Sequence, residues 1–319
     1  MFRRRLKCLL IMVLAGAGPA IRAGEPVKKG DFTYYFDHPG YVNLADSALV
    51  TVRVQVNALL GVEQRFPVDV YMVESLASFD SLIGGKFPDW GAAAAVPMWH
   101  RIVVKSPERF RLGRPLGELL RHEYAHLALD QRTGLHAAPR WFDEGLAMVV
   151  SMEWSWDDNI TMGVSAVLGQ FIPLSDLARM NLFPESQARL AYAQAYMAVQ
   201  YLIESYGTAA VHDFLDAIAR GESVDDALMA SVGSNSADFE SELHLYWQSR
   251  FNLLTVLTSS MYFWLGLALI LIVGGFLAFR RRRQYYRKWE EQEKFASTDF
   301  EYGDPDKPEE TDDDEPWHR

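Results

Sequence analysis

The chain has 319 residues, 49% of them hydrophobic and 23% charged, a globular composition with membrane character that excludes wholesale disorder and collagen-like repetition. A single cysteine, Cys8, excludes an intrachain disulfide, a thiolate metal cluster and a cysteine nucleophile in the body of the protein. The formal charge of −11 is concentrated at one end: residues 299–319 hold ten carboxylates against Lys307 and Arg319, a net −8 that leaves −3 elsewhere. No nucleic-acid partner is indicated.

Residues 1–23 carry the basic Arg3-Arg4-Arg5, the apolar Cys8–Ala17 and small residues at Ala20 and Ala23, the order of a secretory signal. An uncleaved anchor of the same layout would equally export the body of the chain. In that body, 24–255, short alternating runs at 32–36, 68–73 and 102–104 predict strands. The stretch 46–61 alternates in part but also spaces Val50, Val54, Ala58 and Leu59 as a helix does, and helix is preferred. After Pro115 the pattern turns helical, at 116–130, 140–152, 188–206, 209–219 and 237–251, with Gly134, Gly207 and Gly221 at the expected ends. Strands first and helices afterwards, without regular βαβ alternation, predict an α+β domain.

Residues 261–279 contain no charge and approach the ~20 residues needed to cross a bilayer. Tyr262, Phe263 and Trp264 stand at its entry, and Arg280-Arg281-Arg282-Arg283 at its exit, which places the C-terminus in the cytoplasm and the body outside it. A short charged helix is expected at 284–295, and disorder at 296–319. That tail is either a docking segment for a cytoplasmic partner or an inert, solvated terminus.

One segment carries chemistry. His122-Glu123-Tyr124-Ala125-His126 is H-E-x-x-H within a predicted helix, so the two imidazoles lie one turn apart on one face and can reach one metal ion. Glu123 sits beside them, where it can take a proton from water. The bland alternative is a helix with ordinary polar-face histidines. A catalytic zinc takes three protein ligands and keeps an open position. Glu144, eighteen residues beyond His126 in a helix entered through Pro139, completes a His, His, Glu set if a turn at Gly134 folds that helix back. Asp143 would point about 100° away and serve as a supporting or surface carboxylate. His38, His100, His136, His212 and His244 lack a partner at ligand spacing.

The pair H-E-x-x-H and Trp141-Phe142-x-Glu144-Gly145-Leu146-Ala147 resembles the gluzincin metallopeptidases, specifically the bacterial peptidase MA-like domain family. The likeness extends over most of 30–250, through Trp90-Gly91, Ile102-Val103-Val104, Pro173-Leu174-Ser175-Asp176-Leu177 and Ala191–Tyr196. It implies a zincin-like fold, one Zn²⁺ held by His122, His126 and Glu144, Glu123 as catalytic base, and a peptide or protein substrate. It also implies an edge strand before the zinc helix along which substrate lies, a place that Ile102–Val104 occupies, although an ordinary sheet strand fits there too. Tyr192, or else Tyr196, is the candidate oxyanion donor, with a packed aromatic face as the other reading. The G-x-M-E-N segment of the aminopeptidase branch is missing, which disfavours that activity. The expectation is therefore a membrane-anchored zinc endopeptidase acting outside the cytoplasmic membrane; the alternative is a zincin-like module that binds or assembles envelope proteins without cleaving them. An intramembrane protease is excluded by the distance in sequence between His122 and the apolar segment.

Overall fold

A five-stranded mixed sheet forms one wall of the body, in the order β1-β2-β3-β5-β4. Its strands are β1 (Val27–Lys29), β2 (Phe32–Tyr35), β3 (Val68–Val73), β4 (Ala93–Val96) and β5 (Arg101–Lys105). The computed structural model describes residues 25–63, 65–86, 91–251 and 261–295. The expected signal at 1–23, Trp90 and the acidic tail at 296–319 lie outside the described residues.

β1 and β2 form an antiparallel hairpin, β2, β3 and β5 run parallel, and β4 returns antiparallel to β5 at the far edge. The domain is α+β as expected, without regular βαβ alternation: α1 (Val42–Leu60) joins the parallel β2 and β3, whereas α2 (Leu76–Ile83) and the antiparallel β4 both lie between β3 and β5 in sequence. The topology corrects one expectation. The expected edge strand Ile102–Val104 is interior, and β4 takes the edge. The signal for β4 was weak because Ala93-Ala94-Ala95 has no alternation and alanine favours helix.

α1 is a helix, as preferred, but its buried face is Ala45, Leu49, Val52, Val56 and Leu60, while Val50 and Val54, on which the helical spacing was read, are exposed. This face packs on α3 (Leu116–Thr133), and α2 covers the opposite side of the sheet with Phe79 and Leu82 against Val73, Ala94 and Val103.

The rest is helical: α4 (Arg140–Ser151), α5 (Trp156–Leu168), α6 (Glu185–Ala219), α7 (Val224–Val232) and α8 (Ser236–Arg250). The two expected helices on either side of Gly207 are one element, α6, kinked where Gly207 takes φ 81° and ψ 173°, a conformation open to glycine. Trp141, Phe142, Phe214 and Phe239 form the aromatic centre between α4, α6 and α8, with ring centroids 5.1–6.0 Å apart. α4 meets α6 at Gly145. A Cβ there would lie 2.2 Å from the Ala195 carbonyl oxygen, so the two backbones touch only because residue 145 has no side chain.

The second unit contains α9 (Met261–Phe295), of which Phe263–Glu291 is long and apolar enough to cross a membrane. The charged segment 284–295 continues the apolar helix without a break.

Candidate metal centre

α3 starts at Pro115 and buries Leu120, Tyr124, Leu127 and Ala128 in the core, which turns His122 and His126 toward the cleft. It ends at Gly134, whose φ of 66° lets the chain reverse. Pro139 then opens α4, and its Trp141 and Phe142 sink into the aromatic centre. That anchoring brings Glu144 back against α3, as the spacing requires.

Glu144 Oε2 lies 3.5 Å from His122 Nε2 and 3.9 Å from His126 Nε2. One donor atom from each of the three residues falls within 4.8 Å of the others. Each ring is held from behind by a carboxylate: His122 Nδ1 by Glu153 Oε1 at 2.8 Å and His126 Nδ1 by Asp143 Oδ1 at 2.6 Å. A ring that donates from Nδ1 offers its Nε2 lone pair forward, the arrangement a metal ligand needs. Each supporting carboxylate pairs in turn with an arginine, Glu153 with Arg114 and Asp143 with Arg140. Arg140 also pairs with Glu144 Oε1.

The charges test whether a cation fits. Burial opposes charge on either ring, yet hydrogen bonds donated to the Glu144 and Glu153 carboxylates push the pKa of His122 well above the ordinary value, and Asp143 raises that of His126. Burial would also raise the carboxyl pKa of Glu144, but His122, His126 and Arg140 bring it down to about 2. The cluster is short of positive charge. A divalent ion between the two Nε2 atoms and Oε2 would supply it while leaving both rings neutral, and two nitrogens with one carboxylate oxygen suit zinc.

Glu123 is buried beside this set, and burial raises its pKa while the two histidines oppose the rise. The Ala95 backbone amide donates to it. Lys105 N–H donates to Ala92 C=O at 2.9 Å; by the antiparallel alternation the polar groups of Ala93 and Ala95 then face outward from the sheet edge. This edge, α3 and α4 enclose a cleft of about 730 Å³ that also takes in Leu112, Leu129 and Tyr192.

Tyr192 therefore reaches the cleft, where its hydroxyl donates to Asn181 Oδ1 at 3.1 Å; burial and the nearby Glu144 raise its pKa to about 12. Tyr196 instead stacks on Trp154 at 4.6 Å. His38 pairs with Glu74 and His212 approaches the Ala58 carbonyl, outside the cluster. The sequence left Asp143 as a supporting or a surface carboxylate, and the structure puts it behind His126; Glu153, Arg114 and Arg140 were missed. For Arg140 a signal existed, because it sits one turn before Glu144 at a spacing that favours ion pairing.

The model of the Peptidase MA superfamily matches residues 45–250. Among solved structures, the crystal structure of an M1 zinc metallopeptidase E323A mutant from Deinococcus radiodurans is similar at 15% identity and a TM-score of 0.38, over 71% of this chain and 51% of that one. The chain thus spans about half the length of that protein. None of the curated proteins matches. The family match takes in both histidines, Glu123 and Glu144 and covers well over half of the sequence, and the chain belongs to the Peptidase MA superfamily.

Proposed function

We propose that this protein is a membrane-anchored zinc endopeptidase that hydrolyses peptide bonds of a protein or peptide outside the cytoplasmic membrane. The observation that carries the reading is the convergence of His122 Nε2, His126 Nε2 and Glu144 Oε2, with the Glu123 carboxylate buried alongside. A zinc ion, when bound, supplies the charge that polarises a carbonyl and acidifies a water molecule. The chain's own residues do the rest. Glu123, its pKa raised by burial, accepts a proton from the attacking water and delivers it to the departing amine. Tyr192, which lines the cleft from α6, offers a hydroxyl to the developing oxyanion by exchanging its bond to Asn181. The outward groups at Ala93 and Ala95 support an extended peptide lying along β4.

The topology rests on α9 and its basic exit at Arg280–Arg283. With residues 1–23 read as an export signal, the body faces the periplasm of a bacterial inner membrane, and 280–319 face the cytoplasm, where the acidic tail is available to a partner.

The test compares wild type with Glu123→Gln, both as full chains in detergent. Zinc analysis should give one ion per chain in both, with kcat/KM on a cleaved envelope protein lowered by about 10²–10⁴-fold in the variant. His126→Ala should lose zinc and activity together. Stoichiometric zinc, with envelope proteins identical in cells carrying wild type and Glu123→Gln, would replace the enzyme reading with that of a binding or assembly module.

A further inference from the structure

Arg140 stands at the first turn of α4, with its guanidinium inside the cleft wall. Three acceptors surround it. It pairs with Glu144 Oε1, its Nη1 lies 3.3 Å from Asp143 Oδ2, and its Nη2 lies 3.5 Å from Asn181 Oδ1. The two oxygens of Glu144 are therefore divided: Oε1 is committed to Arg140, and Oε2 faces both imidazole Nε2 atoms. The side chain of Glu144 is only 4% exposed, so neither water nor rotation into solvent competes for these positions.

We propose that Arg140 is a positioning residue that reserves one oxygen of Glu144, so that this carboxylate presents a single oxygen to the metal. The proposal rests on the metal-centre reading above. A carboxylate that turned both oxygens to a zinc ion would fill a position that the reaction leaves to water or substrate. An arginine ion-paired with Oε1 prevents this by holding that oxygen away from the metal. Arg140 also steadies the carboxylate behind His126, because Asp143 Oδ1 takes the ring and Oδ2 takes the guanidinium. One guanidinium thus fixes the orientation of two of the three ligands without touching the ion. Lysine at 140 could still hold Oε1 through one donor, but it lacks the planar fork that serves Asp143 at the same time.

The experiment uses the full chain in detergent, with cobalt(II) in place of zinc, for wild type, Arg140→Met, Arg140→Gln and Arg140→Lys. Circular dichroism would establish that each variant is folded; Arg140 is about a third exposed, so its loss should leave the core intact. Wild type should give the intense visible absorption of a four-coordinate ion. Arg140→Met and Arg140→Gln should give the weaker, shifted absorption of a higher coordination number, with a cobalt dissociation constant about 10–100-fold larger. Arg140→Lys should restore most of the wild-type spectrum. Bound cobalt with the same spectrum and affinity in all four chains would overturn this proposal alone. A wild-type chain that takes up no cobalt or zinc would overturn the metal-centre reading and this proposal with it.

Discussion

The two histidines of the centre are supported by the same kind of relay, imidazole to carboxylate to arginine, built in two different ways. Behind His126, Asp143 sits next to Glu144 on α4, 23% exposed, and a helix of fixed geometry places both acids at once. Behind His122, Glu153 comes from beyond the end of α4 and is 1% exposed. It gets there because Met152 adopts φ 63°, left-handed for a residue with a side chain, and turns the chain back toward the cleft. Ser151 Oγ donates to Glu153 Oε1 at 2.7 Å, and Arg114 approaches the other oxygen. One relay is thus a local consequence of helical period, while the other is held by tertiary structure. The buried relay should matter to folding as well as to the metal, the exposed one to the metal alone.

The most damaging test removes the platform that both relays use. Gly145→Ala would drive a Cβ into the Ala195 backbone, so α4 must move off α6 and carry Asp143 and Glu144 with it. Thermal unfolding of the full chain should show a loss of about 3 kcal/mol, with bound zinc falling below one per chain. Next comes Glu153→Ala, which leaves the His122 Nδ1 donor without its buried acceptor, while the Ser151 hydroxyl keeps the Ala147 carbonyl at 2.7 Å. The substitution should cost about 1–3 kcal/mol and weaken zinc binding about 10–100-fold. Asp143→Ala should weaken zinc by a similar factor while shifting stability by only ~0.5 kcal/mol, as expected for a partly exposed group. Equal stability losses in Glu153→Ala and Asp143→Ala would erase the distinction between the relays. Smallest of all is Asp143→Asn, whose amide oxygen can still accept from His126, so zinc titration should show a weakening well under ~10-fold.

This asymmetry also explains which residues could be read in advance. His122, Glu123, His126 and Glu144 were legible because two helical periods and one turn fix their relations, and Asp143 came with its place beside Glu144. Glu153 was not, since its approach depends on a left-handed methionine where no glycine marks the turn. The same holds for the sheet. The alternating β2 and β3 announced themselves, whereas the alanines of β4 become strand only by pairing with β5, and α1 was legible as a helix although its core face is Leu49, Val52 and Val56 rather than the exposed Val50 and Val54. Arg114 belongs to the tertiary class as well: it precedes α3 and reaches Glu153 across a separation of 39 residues, whereas Arg140 is local to α4.

The run Gly91-Ala92-Ala93-Ala94-Ala95 lines one whole flank of the cleft with nothing larger than a methyl group. Such a flank can hold a guest by its main chain but has no means of telling one residue from another. Under the proposed peptidase reading, any preference for particular amino acids must then come from the other lining side chains, of which Leu112 is the half-buried leucine, since Leu119, Leu129 and Thr133 are buried and the Thr133 hydroxyl is taken by the Leu129 carbonyl. Exchanging Leu112, rather than the alanines, is the route to retuning which bond would be chosen.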